Sequence, residues 1–374
     1  MAVILWTPSG HPPPLSRMPA SPVDHASRPV PAPTAALDQV APGPPRGRGP
    51  SPGLVGVVAE LSKARLSALV VATTAAGFVV AEPVTIDWAR LGWTVVGTAL
   101  AAASASMLNQ LAEVARDGLM HRTKDRPLPA GRIGRIPVFV GGVILAYAGV
   151  SVLAQFANIL AAGLALANLL LYVLVYTPLK PRTSLNTLVG ALTGAIPPMI
   201  GWASAGGTLP VAAWLVGGIL FVWQLPHFLA LAWIYREDYD RGGFRMLPGV
   251  DRDGVMTSMV VLAGSLLLVP LGLLGVRLGL AGWWYGVGSL LLGGWMSALS
   301  LSLWRRRGVA EARRVFLASL AYLPVLLVLM VVDRGPVSMQ AWIDGGRPAP
   351  VVISEAPVTP EAPTPSDATP RTEP

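Results

Sequence analysis

The sequence predicts an all-α membrane protein, a bundle of about nine transmembrane helices around a central cavity, and three observations predict it. Of 374 residues, 53% are apolar and only 13% charged, with a mean hydropathy of +0.56, whereas a soluble globule carries about 25% charge. Apolar windows long enough to cross about 30 Å of hydrocarbon recur along the chain. Lys and Arg gather at every second connection between those windows, as they do in loops that stay in the cytoplasm.

In chain order, residues 1–56 are dense in Pro, Gly and Ser without apolar periodicity, and are expected to form a disordered tail. The opening MAVILW is too short for the core of a cleaved secretion signal. Residues 57–334 form the expected transmembrane domain, with spans near 66–82, 91–112, 136–154, 157–176, 186–204, 210–233, 255–276, 281–304 and 312–332. Only AQFANI separates the third span from the fourth. Pro197, Pro198, Pro270 and Pro324 fall inside spans, where neighbouring helices re-satisfy the freed backbone. Trp88, Trp93, Trp283 and Trp284 stand at span ends, as an interfacial aromatic belt requires. Residues 335–374 read as a second disordered tail.

The basic connections follow spans two, four, six and eight, so the N-terminus is expected in the cytoplasm and the C-terminus across an inner (plasma) membrane. A formal charge of +8 and a pI near 10.3 belong to these loops and the lipid bilayer they border; no nucleic-acid partner is expected. Cysteine is absent, which excludes disulfides, thiolate metal sites and thiol nucleophiles.

Three polar stretches break the apolar pattern. In NQLAEVARDGLMHRTKDRPLPAGRI, Asn109, Glu113 and Asp117 recur every four residues and therefore stack on one helix face. Acids at a membrane boundary are costly and mark function by default. Hard oxygen ligands on such a ridge suit Mg²⁺. Arg122, Lys124 and Arg126 follow at once, and metal with cations together point to a diphosphate. The plainer alternatives are that the acids pair with Arg116 or Arg122 and that the cations only set topology. The second stretch, FVWQLPHFLALAWIYREDYDRGGFRMLP, holds His227 inside span six, then Asp238 and Arg241 at the same face. Its place four spans after the first suggests two four-helix pseudo-repeats plus one helix. A membrane histidine is either a ligand or hydrogen-bonded packing, and an acidic loop is often a solvated surface. The third stretch, YTPLKPRTSLNT, puts Lys180 and Arg182 on that side, with Asn186 opening span five; either cation extends a phosphate cradle or anchors the loop. A transporter coupling an ion to its substrate would also use nine spans and intramembrane acids.

With these motifs in order, residues 60–333 resemble the UbiA superfamily of intramembrane prenyltransferases, whose pattern is N-x-x-x-D/E-x-x-x-D followed by R-T-x-x-R-P. MHRTKDRPLPAGRI, YTPLKPRTSLNT, GAIPPMIGWAS and WQLPHFLALAWIYREDYDRGGFRMLP narrow the resemblance to its haem-farnesylating branch. The resemblance implies that farnesyl is transferred from farnesyl diphosphate to a vinyl group of haem b with addition of water, giving haem o and diphosphate; a quinone or chlorin ring is the alternative acceptor. It implies that Asn109, Glu113 and Asp117 hold Mg²⁺ and the diphosphate, that Arg122, Lys124, Arg126 and Lys180 neutralise the leaving group, and that Asn186 and Arg241 assist substrate binding. It gives His227 a haem-facing role, as iron ligand or propionate partner. Asp238 matches the second acidic motif, as a catalytic and metal-binding residue. The four-residue repeat is broken there by Ile234 and Ala230, so one metal is implied, or a second held mostly by diphosphate and water. A haem a synthase or a terminal-oxidase assembly factor would receive the product.

Overall fold

A computed structural model describes residues 53–82 and 85–334. The two expected tails lie outside the described residues, except for 53–56 at the start of the first helix. That helix, α1 (Leu54–Leu61), is short, and α2 (Ala64–Ala81) follows directly. Next come α3 (Trp88–Asp117), α4 (Arg135–Phe156) and α5 (Ile159–Leu170), which runs on through a π-helical turn (Leu171–Tyr176) into α6 (Thr177–Leu179). The second half comprises α7 (Asn186–Gly206), α8 (Val211–Ile234), the short α9 (Arg236–Arg241) and α10 (Leu247–Val250), then α11 (Val255–Arg277), α12 (Trp283–Arg306) and α13 (Val309–Val332).

Among the described residues, eight helices are long and apolar enough to cross a membrane, counting Ile159–Leu179 as one, and they coincide with predicted spans two to nine. The first predicted span falls on α2, whose apolar stretch, Leu66–Ala81, is shorter. The described residues thus form only helices as regular elements, and the protein is multi-pass. AQFANI does separate two helices: Asn158 caps α5, its Oδ1 accepting from the Ala161 amide at 2.9 Å. Asp87 caps α3 in the same way, through the Arg90 amide at 2.9 Å.

Lipid takes no hydrogen bonds, so polar side chains within the spans turn back on their own backbone. Thr94 donates to Arg90 O at 2.8 Å, Ser258 to Gly254 O at 2.6 Å and Ser265 to Val261 O at 2.9 Å. Without a hydrophobic drive between helices, close packing decides the contacts. α2 lies so near α7 that a Cβ on Gly77 would run into the Pro198 carbonyl, and one on Gly201 into that of Thr74. Apolar side chains such as Ile136, Ile144 and Leu291 point outward, at 76%, 59% and 67% exposure, as lipid-facing surface does.

Helices α2, α3, α5, α7, α8 and α13 surround a cavity of about 630 Å³, with the π-helical turn and the loop after α3 at one end. Helices α4, α11 and α12 pack outside it on this inner set.

Candidate active site

The four-residue spacing on α3 does put Asn109, Glu113 and Asp117 on one buried face. Glu113 and Asp117 line the cavity, and small residues of the same face, Ala101, Ala102 and Ala105, leave room beyond them. Each acid takes its cation from another segment. Lys180 Nζ lies 2.8 Å from Glu113 Oε1, and Arg126 Nη1 lies 2.7 Å from Asp117 Oδ2. Neither Arg116 nor Arg122 makes these pairs: Arg116 donates to the carbonyl of Gly242, and Arg122 to the Tyr239 hydroxyl. Asp117 Oδ1 is buried without a hydrogen-bond partner.

Arg126 reaches Asp117 because the loop after α3 doubles back, pinned by the Thr123 hydroxyl donating to Asp117 O at 2.8 Å. Lys180 follows the π-helical turn, whose Tyr176 ring lies 4.7 Å from its ammonium. Such turns are rare and frequent at functional sites; this one sends Tyr172 and Tyr176 to the cavity wall.

Asn109 stands behind this lining. Its Oδ1 accepts from Lys63 Nζ at 3.0 Å and its Nδ2 donates to Thr177 Oγ1 at 3.0 Å. Lys63 itself lines the cavity and was not singled out in the sequence, where a lysine opening a span reads as a topology signal. Its backbone is left-handed, φ 47° and ψ 50°, a conformation that costs a non-glycine residue about 1–3 kcal/mol and survives where the surroundings impose it. Burial, then the positive neighbours Lys180 and Arg126, lowers its amine to about 7.

The second acidic motif is built differently. Asp238 is absent from the cavity wall. Its Oδ1 accepts from the His121 amide and from Arg241 Nη2, both at 2.8 Å, and its Oδ2 from the Arg122 amide at 3.2 Å. Burial alone would raise this carboxyl, but the two amides and the Arg241 guanidinium hold it below the ordinary carboxylate range. Asp238 therefore fastens the loop that carries Arg122, whose guanidinium lies 5.1 Å from the Tyr235 ring centroid at the cavity wall. Asn186 has a comparable task, its Nδ2 donating to the Thr183 and Arg245 carbonyls at 2.6 and 3.0 Å. Lys124 is exposed and away from the wall, as is Arg241 apart from its bond to Asp238.

Deeper in the cavity, His227 stacks on Trp223 with 4.8 Å between ring centroids, and Phe316 lies 5.1 Å away. The cavity therefore has a charged mouth and an aromatic, largely apolar interior. Such a lining suits a ligand with an anionic head and a long apolar body.

A model of the UbiA prenyltransferase family matches residues 70–321. The chain is 41% identical over 286 residues to a protein from Solibacter usitatus named protohaem IX farnesyltransferase, covering 74% of this chain and 97% of that protein. It is 42% identical over 276 residues to a mitochondrial protein of the same name from Arabidopsis thaliana, covering 74% of this chain and 64% of that longer protein. Among solved structures, a digeranylgeranylglyceryl phosphate synthase superposes with a TM-score of 0.64 at 17% identity, covering 75% of this chain and 98% of the other. A UbiA homologue from Archaeoglobus fulgidus bound to DMAPP and Mg²⁺ superposes with a TM-score of 0.54 at 14% identity, covering 73% and 99%. At these identities the superpositions establish the shared fold.

Proposed function

The chain belongs to the UbiA prenyltransferase family, and from that premise we propose that it transfers the farnesyl group of farnesyl diphosphate to a vinyl group of haem b, making haem o. One juxtaposition carries the proposal: a single cavity joins two acids, three cations and the Lys63 amine at its mouth to a histidine-bearing aromatic interior. The diphosphate belongs at the mouth. Lys63, Arg122, Arg126 and Lys180 oppose its charge, Arg with a planar fork and Lys as point charges. Glu113 and Asp117 would hold Mg²⁺: the buried, partnerless Asp117 Oδ1 and the adjacent Glu113 carboxylate are hard donors suited to an ion that keeps waters and substrate oxygens among its ligands. When bound, the ion would add positive charge against the departing diphosphate.

The chain's own residues then have three tasks. The cations stabilise the negative charge that grows on diphosphate as the farnesyl C1–O bond breaks, an effect strongest where water is excluded. The apolar walls keep the allylic carbon from premature quenching. The aromatic interior lays the flat acceptor against farnesyl C1, so that the vinyl electrons form the new carbon–carbon bond, and water adds to the electron-poor carbon left beside the ring and releases a proton to solvent. Asp238 and Asn186 hold the loops that deliver the cations. The alternation of basic connections supports an N-terminus in the cytoplasm and a C-terminus on the far side of the plasma membrane.

Incubating membranes with farnesyl diphosphate and haem b, and finding haem o by mass, tests the activity. Prenylation of a quinone or chlorin in its place would refute the acceptor. A reporter fused after residue 334 and active only outside the cytoplasm tests the orientation.

A further inference from the structure

Ser319 of α13 settles which nitrogen of His227 carries the proton. Its Oγ lies 2.8 Å from His227 Nδ1 and 2.6 Å from the Phe316 carbonyl oxygen one turn earlier. A hydroxyl has a single hydrogen, and a carbonyl oxygen can only accept. The Ser319 hydrogen therefore goes to Phe316, which leaves only a lone pair for His227. Nδ1 must donate to it, and in the neutral ring, which has a single N–H, that leaves Nε2 with its lone pair. The arrangement is held firmly: Ser319 is fully buried, and the Trp223 indole donates to its backbone carbonyl at 2.9 Å while stacking on the imidazole. Among the described residues Nε2 has no hydrogen-bond partner, and the ring lines the cavity. A neutral imidazole with one nitrogen donating to the protein and the other bare is the form in which histidine binds a metal.

We propose that Ser319 is a positioning residue that presents His227 Nε2 to the metal of the tetrapyrrole acceptor, so that the site selects the metal-bearing ring over the same ring without metal. The inference rests on the acceptor class proposed above. It assigns His227 to the iron of the ring and not to a propionate, which both rings would offer equally.

The test measures dissociation constants of haem b and of metal-free protoporphyrin IX on the detergent-purified full chain, with the Soret spectrum of bound haem. The wild type should prefer haem b by roughly tenfold or more, His227→Ala should erase the preference, and Ser319→Ala should cut it by about tenfold with a shifted Soret band. Farnesyl diphosphate binding should stay unchanged in both. A merely structural Ser319 would weaken both rings together and leave their ratio intact, which overturns the proposal even if the variant is less stable. In His227→Gly, added imidazole should restore the wild-type Soret band; failure to do so in a variant that still binds haem counts against ligation. Haem o formation by the wild type with a ratio indifferent to both substitutions sinks this inference alone. Absence of haem o, with no preference for the metal-bearing ring, sinks the functional reading as well.

Discussion

The ends of α3 and α8 carry the same residue types, acids followed closely by arginine, and the fold uses them in opposite ways. At the end of α3, Glu113 and Asp117 face the cavity and draw their cations from Lys180 and Arg126, leaving Asp117 Oδ1 without a partner. Beyond α8, Asp238 takes its cation from Arg241 three residues on and accepts the amides of His121 and Arg122 with its two oxygens. A carboxylate surrounded by backbone donors is already satisfied, so it braces. One left with an empty acceptor at a cavity wall is available to a ligand.

The sharpest way to break this contrast is at α3. Asp117→Asn should lower haem o formation by roughly 10²–10³, about 3–4 kcal/mol of transition-state stabilisation in a dry site, while the purified protein keeps its fold. Near-wild-type turnover would end the distinction.

Asp238→Ala should act through stability and binding. It leaves two amides without their acceptor, at about 1–3 kcal/mol each if no water replaces it, and frees the Arg122 loop. Melting temperature should fall, and KM for farnesyl diphosphate should rise several-fold with kcat less affected. Lost turnover at unchanged melting temperature would make Asp238 a chemical residue after all. Because its carboxyl titrates below the unfolded value of about 4, its contribution is present above that pH and is lost as pH falls through the lowered value. Acid destabilisation below pH 4 should therefore be shallower in Asp238→Asn than in the wild type.

Lys63→Met should raise KM for farnesyl diphosphate by roughly tenfold, about 1.4 kcal/mol, the size of one charge-assisted contact, and lower the melting temperature modestly because Asn109 Oδ1 loses its donor. The smallest effect belongs to Lys124→Ala. Exposed and away from the cavity, this residue should change stability by less than about 0.5 kcal/mol and leave KM unaltered. A tenfold rise in KM there would mean that the mouth extends further into solvent than its walls suggest.

Features that depend on neighbours along one helix are legible in the order of residues. Twenty apolar residues in a row have few folded alternatives to a span, and eight of the predicted spans coincide with helices of crossing length. A four-residue spacing puts Asn109, Glu113 and Asp117 on one face in any α-helix. Which cation meets which acid emerges only when the helices pack, because the partners lie far apart in the chain and many arginines are chemically equivalent. Lys63 and Asn109 are 46 residues apart, and His227 and Ser319 are 92 apart. Nothing in LSKARLS distinguishes Lys63 from a topology signal, and nothing in FLASLAY marks Ser319. Each acquires its partner only when α2 packs beside α3 and α13 beside α8. That packing is set by the small residues and shapes of the helix surfaces, which no local pattern of polarity encodes.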